Sequence, residues 1–245
     1  MISKVELPET LSPFADSAFG CRIIATADAY GFSEPFAQIW VQEDKAALCK
    51  LDDVMILSVK PGANFEELHS FIRMTGAKTL ICSGKYEEHT GFQTAQSGEI
   101  MGYLNLKPLK TPASYELNPS LRDLHGLLCE CETPTFTPPD FEPFYLDLSH
   151  RIRHGTALAV GIRQGEALVS CAICSAKTQS KAILSAVACK PVLQRHGYGR
   201  AALAALISNL EQRELYIFRA RGVNEEFYRS CGFLSHGTFV EQTIA

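Results

Sequence analysis

Residues 182–213, AILSAVACKPVLQRHGYGRAALAALISNLEQR, constrain this chain more than any other stretch. An apolar run at 182–189 holds Ile183, Leu184 and Val187, then breaks at Pro191. Gln194-Arg195-His196-Gly197-Tyr198-Gly199 follows, after which Leu203, Leu206, Ile207 and Leu210 recur at helical spacing. The pattern predicts a strand, a glycine-bearing turn and a helix N-terminus in succession. Glycines let backbone amides come close to a ligand, and the helix dipole favours negative charge at that end. The stretch therefore reads as an anion cradle.

Charge distribution points to the same half of the chain. Ten of the twelve arginines lie beyond residue 112, and arginine is the usual partner of phosphates and carboxylates. The formal charge of −4 argues against a nucleic-acid surface. With 245 residues, 46% of them apolar, there is core material for one large domain or two ordinary ones. The first residues, MISKVELPETLSPF, hold no apolar core of signal-peptide length, and no run approaches a membrane span. Nine cysteines in that context predict reduced thiols and a cytoplasmic location. Cys171 and Cys174 form a CxxC, but in a strand-like run where alternation sends the two thiols to opposite faces. Cys129 and Cys131 are read as lacking a nearby His or second pair, so no metal site is expected.

Along the chain, periodicity predicts a helix over 18–30, strands over 36–42, 46–51 and 54–59, and a helix capped by Asn64. A short strand at 79–82 and a further one at 99–104 complete the first part. Residues 105–120, with Pro108, Pro112 and Pro119, read as the linker. Helices over 121–129 and 140–153, strands over 157–162 and 167–175, and the opening stretch come next. A strand at 215–218, a short helix at 224–231 and a strand at 238–244 end the chain. Early hairpins and a late strand–helix–strand unit predict an α/β fold with a mixed sheet.

The order of elements repeats. Met55-Ile56-Leu57-Ser58, a proline, a helix and the strand 79–82 parallel Ala182-Ile183-Leu184-Ser185, a proline, a helix and the strand 215–218. Each set is followed by a Glu-Glu pair (Glu87-Glu88; Glu225-Glu226), a Gly-Phe (Gly91-Phe92; Gly232-Phe233) and a last strand. Two copies of one fold are expected, over 1–112 and 113–245. Between Val59 and Phe65 the first copy has only five residues, too few for the glycine turn.

The second copy resembles the GNAT acyltransferase family. That family's cofactor motif, Arg/Gln-x-x-Gly-x-Gly/Ala after a strand and before a helix, is matched by Gln194, Gly197 and Gly199, with Pro191 three residues ahead. Residues 224–233, NEEFYRSCGF, are similar to its second motif, an Asn and a Tyr on a short helix before Gly-Phe. The resemblance is good over 113–245; over 15–104 it is a pattern of elements. It implies two mixed, mainly antiparallel sheets flanked by helices, and acetyl-coenzyme A as acyl donor without a metal. Backbone groups at Val187, Ala188 and Cys189 would pair with the pantetheine arm where the sheet splays. Amides of Arg195, His196, Gly197, Tyr198, Gly199 and Arg200 would hold the pyrophosphate, with Gln194 in the motif and Asn224 near the thioester. Tyr228 would be the general acid that protonates the leaving thiolate; a phenol with solution pKa of about 10 suits that donation.

The resemblance implies N-acyl transfer to the amine of a small molecule or peptide; the other class is a catalytically silent acyl-coenzyme A or protein-interaction module. Many family members carry a Glu in or near the strand placed here at 182–189, and this strand has no carboxylate. His150, His154, Glu225 and Glu226 remain as bases, alongside ordered water. The N-terminal copy, without a glycine turn, is expected to bind no coenzyme A. It would shape the acceptor pocket or a homodimer interface. Nucleic acid and membrane are not expected partners.

Overall fold

The computed structural model of the chain describes residues 1–103, 109–212 and 214–244. The expected strand end at Leu104, the linker residues 105–108 with Pro108, and Arg213 at the end of the opening stretch lie outside the described residues. Strand β1 (Ile2–Lys4) and a 3₁₀ segment, Pro8–Phe14, lead into α1 (Ala18–Tyr30). Strands β2 (Ala37–Gln42), β3 (Ala46–Leu51) and β4 (Val54–Val59) form a meander. Helix α2 (Phe65–Met74), β5 (Thr79–Ser83) and β6 (Gln93–Tyr103) follow, the last starting six residues before the expected point. The short β7 (Glu116–Leu117) precedes α3 (Leu121–Glu130) and α4 (Phe141–Arg153). Strands β8 (Leu158–Gln164), β9 (Ala167–Lys177) and β10 (Lys181–Cys189), helix α5 (Tyr198–Ser208), β11 (Glu214–Ala220), α6 (Glu225–Ser230) and β12 (Leu234–Thr243) complete the chain.

Local chemistry accounts for the helix ends. The Ser17 hydroxyl accepts from Gly20 N (2.9 Å) at the start of α1, and Asn64 Oδ1 accepts from Glu67 N (3.1 Å) at the start of α2. Beyond α2's last turn Thr75 Oγ1 donates to Ile72 O (2.7 Å), and β5 begins four residues later.

Two compact units emerge, and they are not the two consecutive stretches expected from the repeat. The first comprises residues 1–102, 218–223 and 235–245; the second comprises 103–217 and 224–234. In the first unit the strands run β1-β2-β3-β4-β5-β12-β6, so the last strand of the chain is an interior strand of a sheet built by the first hundred residues. β12 pairs antiparallel with β5, from Phe239↔Ser83 to Thr243↔Thr79. Val240 joins Leu57, Leu68, Ile72, Leu80 and Cys82 in the core. Gln242, fully buried, accepts from Thr90 Oγ1 (2.7 Å) and donates to the carbonyls of Glu87 and Phe92 (both 3.1 Å). That network sets the register, because a one-residue slip would turn the amide into the other face. A second buried polar group, Arg219, pairs with Glu99 and donates to the carbonyls of Ala220 and Val223 (both 3.2 Å).

In the second unit the order is β11-β10-β9-β8-β7, with Leu124, Leu127, Leu128 and Leu148 of α3 and α4 packed on Ala159, Leu168, Cys171 and Ile173. The repeat is visible in the connections. β4–α2–β5 and β10–α5–β11 are both parallel strand pairs joined through a helix.

Candidate active site

The site in the second unit grows from a break in the β10–β11 ladder. These strands pair in parallel from Lys181↔Glu214 to Leu184↔Ile217, and the ladder ends there. β10 runs on to Cys189 beside β9 alone, through Ala186↔Ile173, Val187↔Ala172, Ala188↔Cys171 and Cys189↔Ser170. Register shifts in the β9–β10 pairing at Ile183/Leu184 and Leu184/Ala186 lie beside the end of the β10–β11 ladder, and a bulge of that kind bends the bulged strand. Ser185 becomes exposed, and Val187 and Cys189 half-buried. The strand end is held from behind: Ser170 Oγ donates to Ala188 O (2.7 Å) and Cys131 Sγ to Cys189 O (3.3 Å). Sequence reasoning did not pick out Ser170 or Cys131 for this role. Strand alternation alone places Ser170 beside β10, whereas the Cys131 contact spans 58 residues.

Past β10 the chain turns through Pro191–Leu193 into two left-handed residues, Arg195 (φ 63°) and Gly197 (φ 88°). Gly197 occupies the N-cap of α5 and offers it no side-chain cap. The first turn of any helix leaves amides without intrahelical acceptors, and α5 opens them where β10 ends. Gln194 Nε2 reaches back to Cys189 O (3.5 Å), and the His196 ring nitrogen Nδ1 lies 2.8 Å from Gln194 O. The Cys189 thiol also meets the Gly199 amide. Burial pushes that thiol up from its ordinary value, and the Ser170 hydroxyl and Gly199 amide partly offset the push. A Cβ on Gly199 would make only ordinary contact with the Phe227 ring, at 3.8 Å. Arg200 is exposed and donates to Ser230 O (2.6 Å), tying α5 to the end of α6. A cavity of about 370 Å³ is lined by Gly197, Arg200, Ala201 and residues 109–113, with Lys110 among them.

The short helix α6 starts at Asn224, an exposed residue with left-handed φ of 56°. Tyr228 is buried, 6% exposed, its ring edge-on to Phe233 at 5.8 Å and to Phe227 at 5.0 Å. Among the base candidates, Glu225 is engaged by Arg229 Nε at 2.7 Å. His150 and His154 stack on each other at 4.2 Å on the last turn of α4, and Glu226 is exposed.

The first unit's counterpart of this cradle is filled by the protein itself. At the N-terminus of α2, Gln42 Oε1 accepts from Asn64 N (2.8 Å), and Gln42 Nε2 donates to Glu67 Oε2 (2.7 Å). Glu67 Oε1 accepts from Ile2 N (2.8 Å). Burial raises the Glu67 carboxyl, but these hydrogen bonds and the chain's N-terminal charge outweigh it and hold the group below its ordinary value. The first turn of α2 therefore carries a side-chain cap and an engaged carboxylate, whereas α5 has no side-chain cap.

No disulfide joins any of the nine cysteines. Cys171 and Cys174 are both fully buried. Burial pushes the Cys171 thiol up to about 12, and burial, helped by the Glu87 carboxylate, does the same for Cys82. Both thiols are expected to stay unreacted toward 5,5′-dithiobis(2-nitrobenzoate) at pH 8 until the chain is denatured, as counted by peptide mapping. The associated stability is complete below about pH 9, where these thiols are protonated in both states. It is lost as pH climbs from there toward 12, because the unfolded thiols ionise first. The reading of Cys129 as lacking a nearby His needs correction: His125 lies one helical turn before it, 3.6 Å from Nδ1 to Sγ. Among the described residues, no group of three or more His, Cys, Asp or Glu side chains is placed to hold a metal ion. No helix among them is long and apolar enough to cross a membrane.

Residues 121–233 match the family model described as the acetyltransferase (GNAT) family. They form a GNAT acetyltransferase domain. The mixed sheet flanked by helices is the GNAT fold, and its tandem form is seen in a solved structure, a tandem GNAT protein from the clavulanic acid biosynthesis pathway. That structure has a TM-score of 0.61 at 14% identity, covering 100% of this chain and 99% of its own. A GCN5-related N-acetyltransferase from Sphaerobacter thermophilus is similar at a TM-score of 0.57 and 15% identity, covering 100% and 95%. A Drosophila protein reaches 0.65 at 13% identity, covering 99% and 98%. No curated protein matches the chain.

Proposed function

We propose that the second unit transfers an acyl group, in the first instance acetyl from acetyl-coenzyme A, to the amine of a small molecule or peptide. The observation that carries this reading is the uncapped N-terminus of α5, opened by left-handed Gly197 where β10 leaves β11. Amides of the turn from Arg195 to Arg200 suit a pyrophosphate, by charge and by dipole. The backbone of Val187, Ala188 and Cys189, beyond the end of the β10–β11 ladder, suits the amide-bearing pantetheine arm. It does so through groups other than the Ala188 and Cys189 carbonyls, which Ser170, Cys131 and Gln194 engage. An amide there can meet the oxyanion that forms on the thioester carbonyl. Asn224 orients the arm, and Tyr228 gives its phenolic proton to the departing thiolate.

Thiol release from acetyl-coenzyme A against a panel of amines tests the activity. Tyr228→Phe is expected to lower turnover 100-fold or more, within the range for losing a general acid, while changing the dissociation constant of coenzyme A less than threefold. Undiminished turnover in that variant would remove Tyr228 from the role.

The missing carboxylate on β10 favours a second reading, a silent acyl-coenzyme A sensor, which predicts binding without turnover across amines, peptides and longer acyl donors. Under either reading the first unit, its α2 N-terminus filled by Gln42 and Glu67, takes no cofactor. Calorimetric titration is expected to find one coenzyme A per chain, and two sites would contradict the assignment. In chain order, residues 1–112 are then a degenerate copy and 113–245 the cofactor-binding one, with the last strand of the chain placed in the first unit's sheet. A cytoplasmic enzyme that can pair as a homodimer fits this reading.

A further inference from the structure

Helix α3 brings a thiol and an imidazole together away from the cofactor turn. His125 and Cys129, four residues apart, share one helix face, and Cys129 is exposed. The Cys129 sulfur lies 3.6 Å from His125 Nδ1 and 4.0 Å from Nε2. Nε2 lies 2.8 Å from the carbonyl oxygen of Pro139. A carbonyl only accepts, so that contact puts the proton of the neutral ring on Nε2 and leaves Nδ1 with its lone pair toward the thiol side. The ring is flanked by Phe141 at 5.2 Å and Phe144 at 5.6 Å, which limit its rotation. A nucleophile, a base and a group that orients the base are the three parts of an activated thiol. The two similar distances put the sulfur beside the ring edge rather than along the lone pair. Such contacts are commonly unaligned until a reactant arrives, and an exposed side chain can turn.

We propose that Cys129 and His125 form a reactive-thiol site that exchanges with low-molecular-weight disulfides of the glutathione type. His125 Nδ1 takes the thiol proton, and the Cys129 thiolate attacks one sulfur of the incoming disulfide. The bond between its two sulfurs breaks as the new sulfur–sulfur bond forms, and the departing thiolate takes the proton from His125. One disulfide enters; one mixed disulfide and one thiol result, with no external oxidant. Arg122, its guanidinium 5.9 Å from the Phe141 ring centre, supplies a cation for the carboxylates of such a disulfide. Lys190 pairs with the nearby Glu130 at 3.0 Å and tempers its repulsion. The competing thiols are disfavoured: burial pushes Cys131 and Cys189 up, and Cys82 and Cys171 further.

The test treats the full chain with glutathione disulfide, quenches with acid and maps mixed disulfides by peptide mass. Cys129 is expected to react first. His125→Gln is expected to slow that reaction tenfold or more at pH 7 and to converge with wild type at pH 9.5, where the thiolate forms without a base. Unaltered far-ultraviolet circular dichroism shows that the variant keeps α3. Either of two results would overturn the site: first modification at another cysteine, or equal rates in the variant and the wild-type chain at pH 7.

Discussion

A chain cut after Leu234 is expected to lose the fold of its first unit, although every residue removed belongs to the far end of the sequence. Residues 235–244 supply β12, which stands between β5 and β6. Without them Phe239 and Val240 leave the core, each worth about 1.5–3 kcal/mol of apolar burial. The loss of Gln242 also strands the Thr90 hydroxyl and the carbonyls of Glu87 and Phe92, at about 1–3 kcal/mol for each group left buried. Those losses are comparable with the whole net stability of an ordinary domain, about 5–15 kcal/mol. The fragment 1–112 should show the same defect, with poorly dispersed amide resonances and no cooperative urea transition. A synthetic peptide of residues 234–244 added in trans should restore both. A fragment 1–112 that unfolds cooperatively by itself would show that β12 is dispensable.

The second large effect is expected at the turn proposed to hold the pyrophosphate. Gly197 has φ of 88°, a conformation that costs an L-residue on the order of 1–2 kcal/mol. Beyond its chain neighbours, no atom lies within 4 Å of the position that a Cβ would take there. Gly197→Ala should therefore lower stability by roughly that amount and weaken coenzyme A only modestly, because there is space for the methyl group. Gly197→Glu adds the same strain and places a carboxylate among the amides at the start of α5. Its repulsion of a pyrophosphate should weaken coenzyme A binding at least 100-fold by calorimetry, with a stability loss close to that of the alanine variant. If the glutamate variant binds coenzyme A as the wild-type chain does, the pyrophosphate lies elsewhere.

Much of the turn from Pro191 to Gly199 was legible because it is local. A glycine needed for left-handed backbone, a proline that ends a strand and leucines at helical spacing all act within a few residues of themselves. The ends of α1, β3, β4 and α2 were legible for the same reason. The Cys129–His125 pair was within reach as well, since i and i+4 residues share a helix face. It escaped a reading that asked only for zinc spacings. The closed N-terminus of α2 was half legible. Asn64 announced the cap, but Gln42 and Ile2 reach it from strands that only the fold brings near.

The sequence by itself determined most of the segments that become strands and helices, though not β1 or β7, as well as the repeat in their order and which copy kept a glycine turn. Tertiary structure alone decided where the last strand goes. The two copies end in similar strands, and nothing local tells such a strand which sheet to enter. Buried side chains from distant segments tell it: Gln242 finds Thr90 and two carbonyls 150 or more residues earlier in the chain. The same holds at the site, where the parting of β10 from β11 after Leu184 is a property of the ladder rather than of either strand.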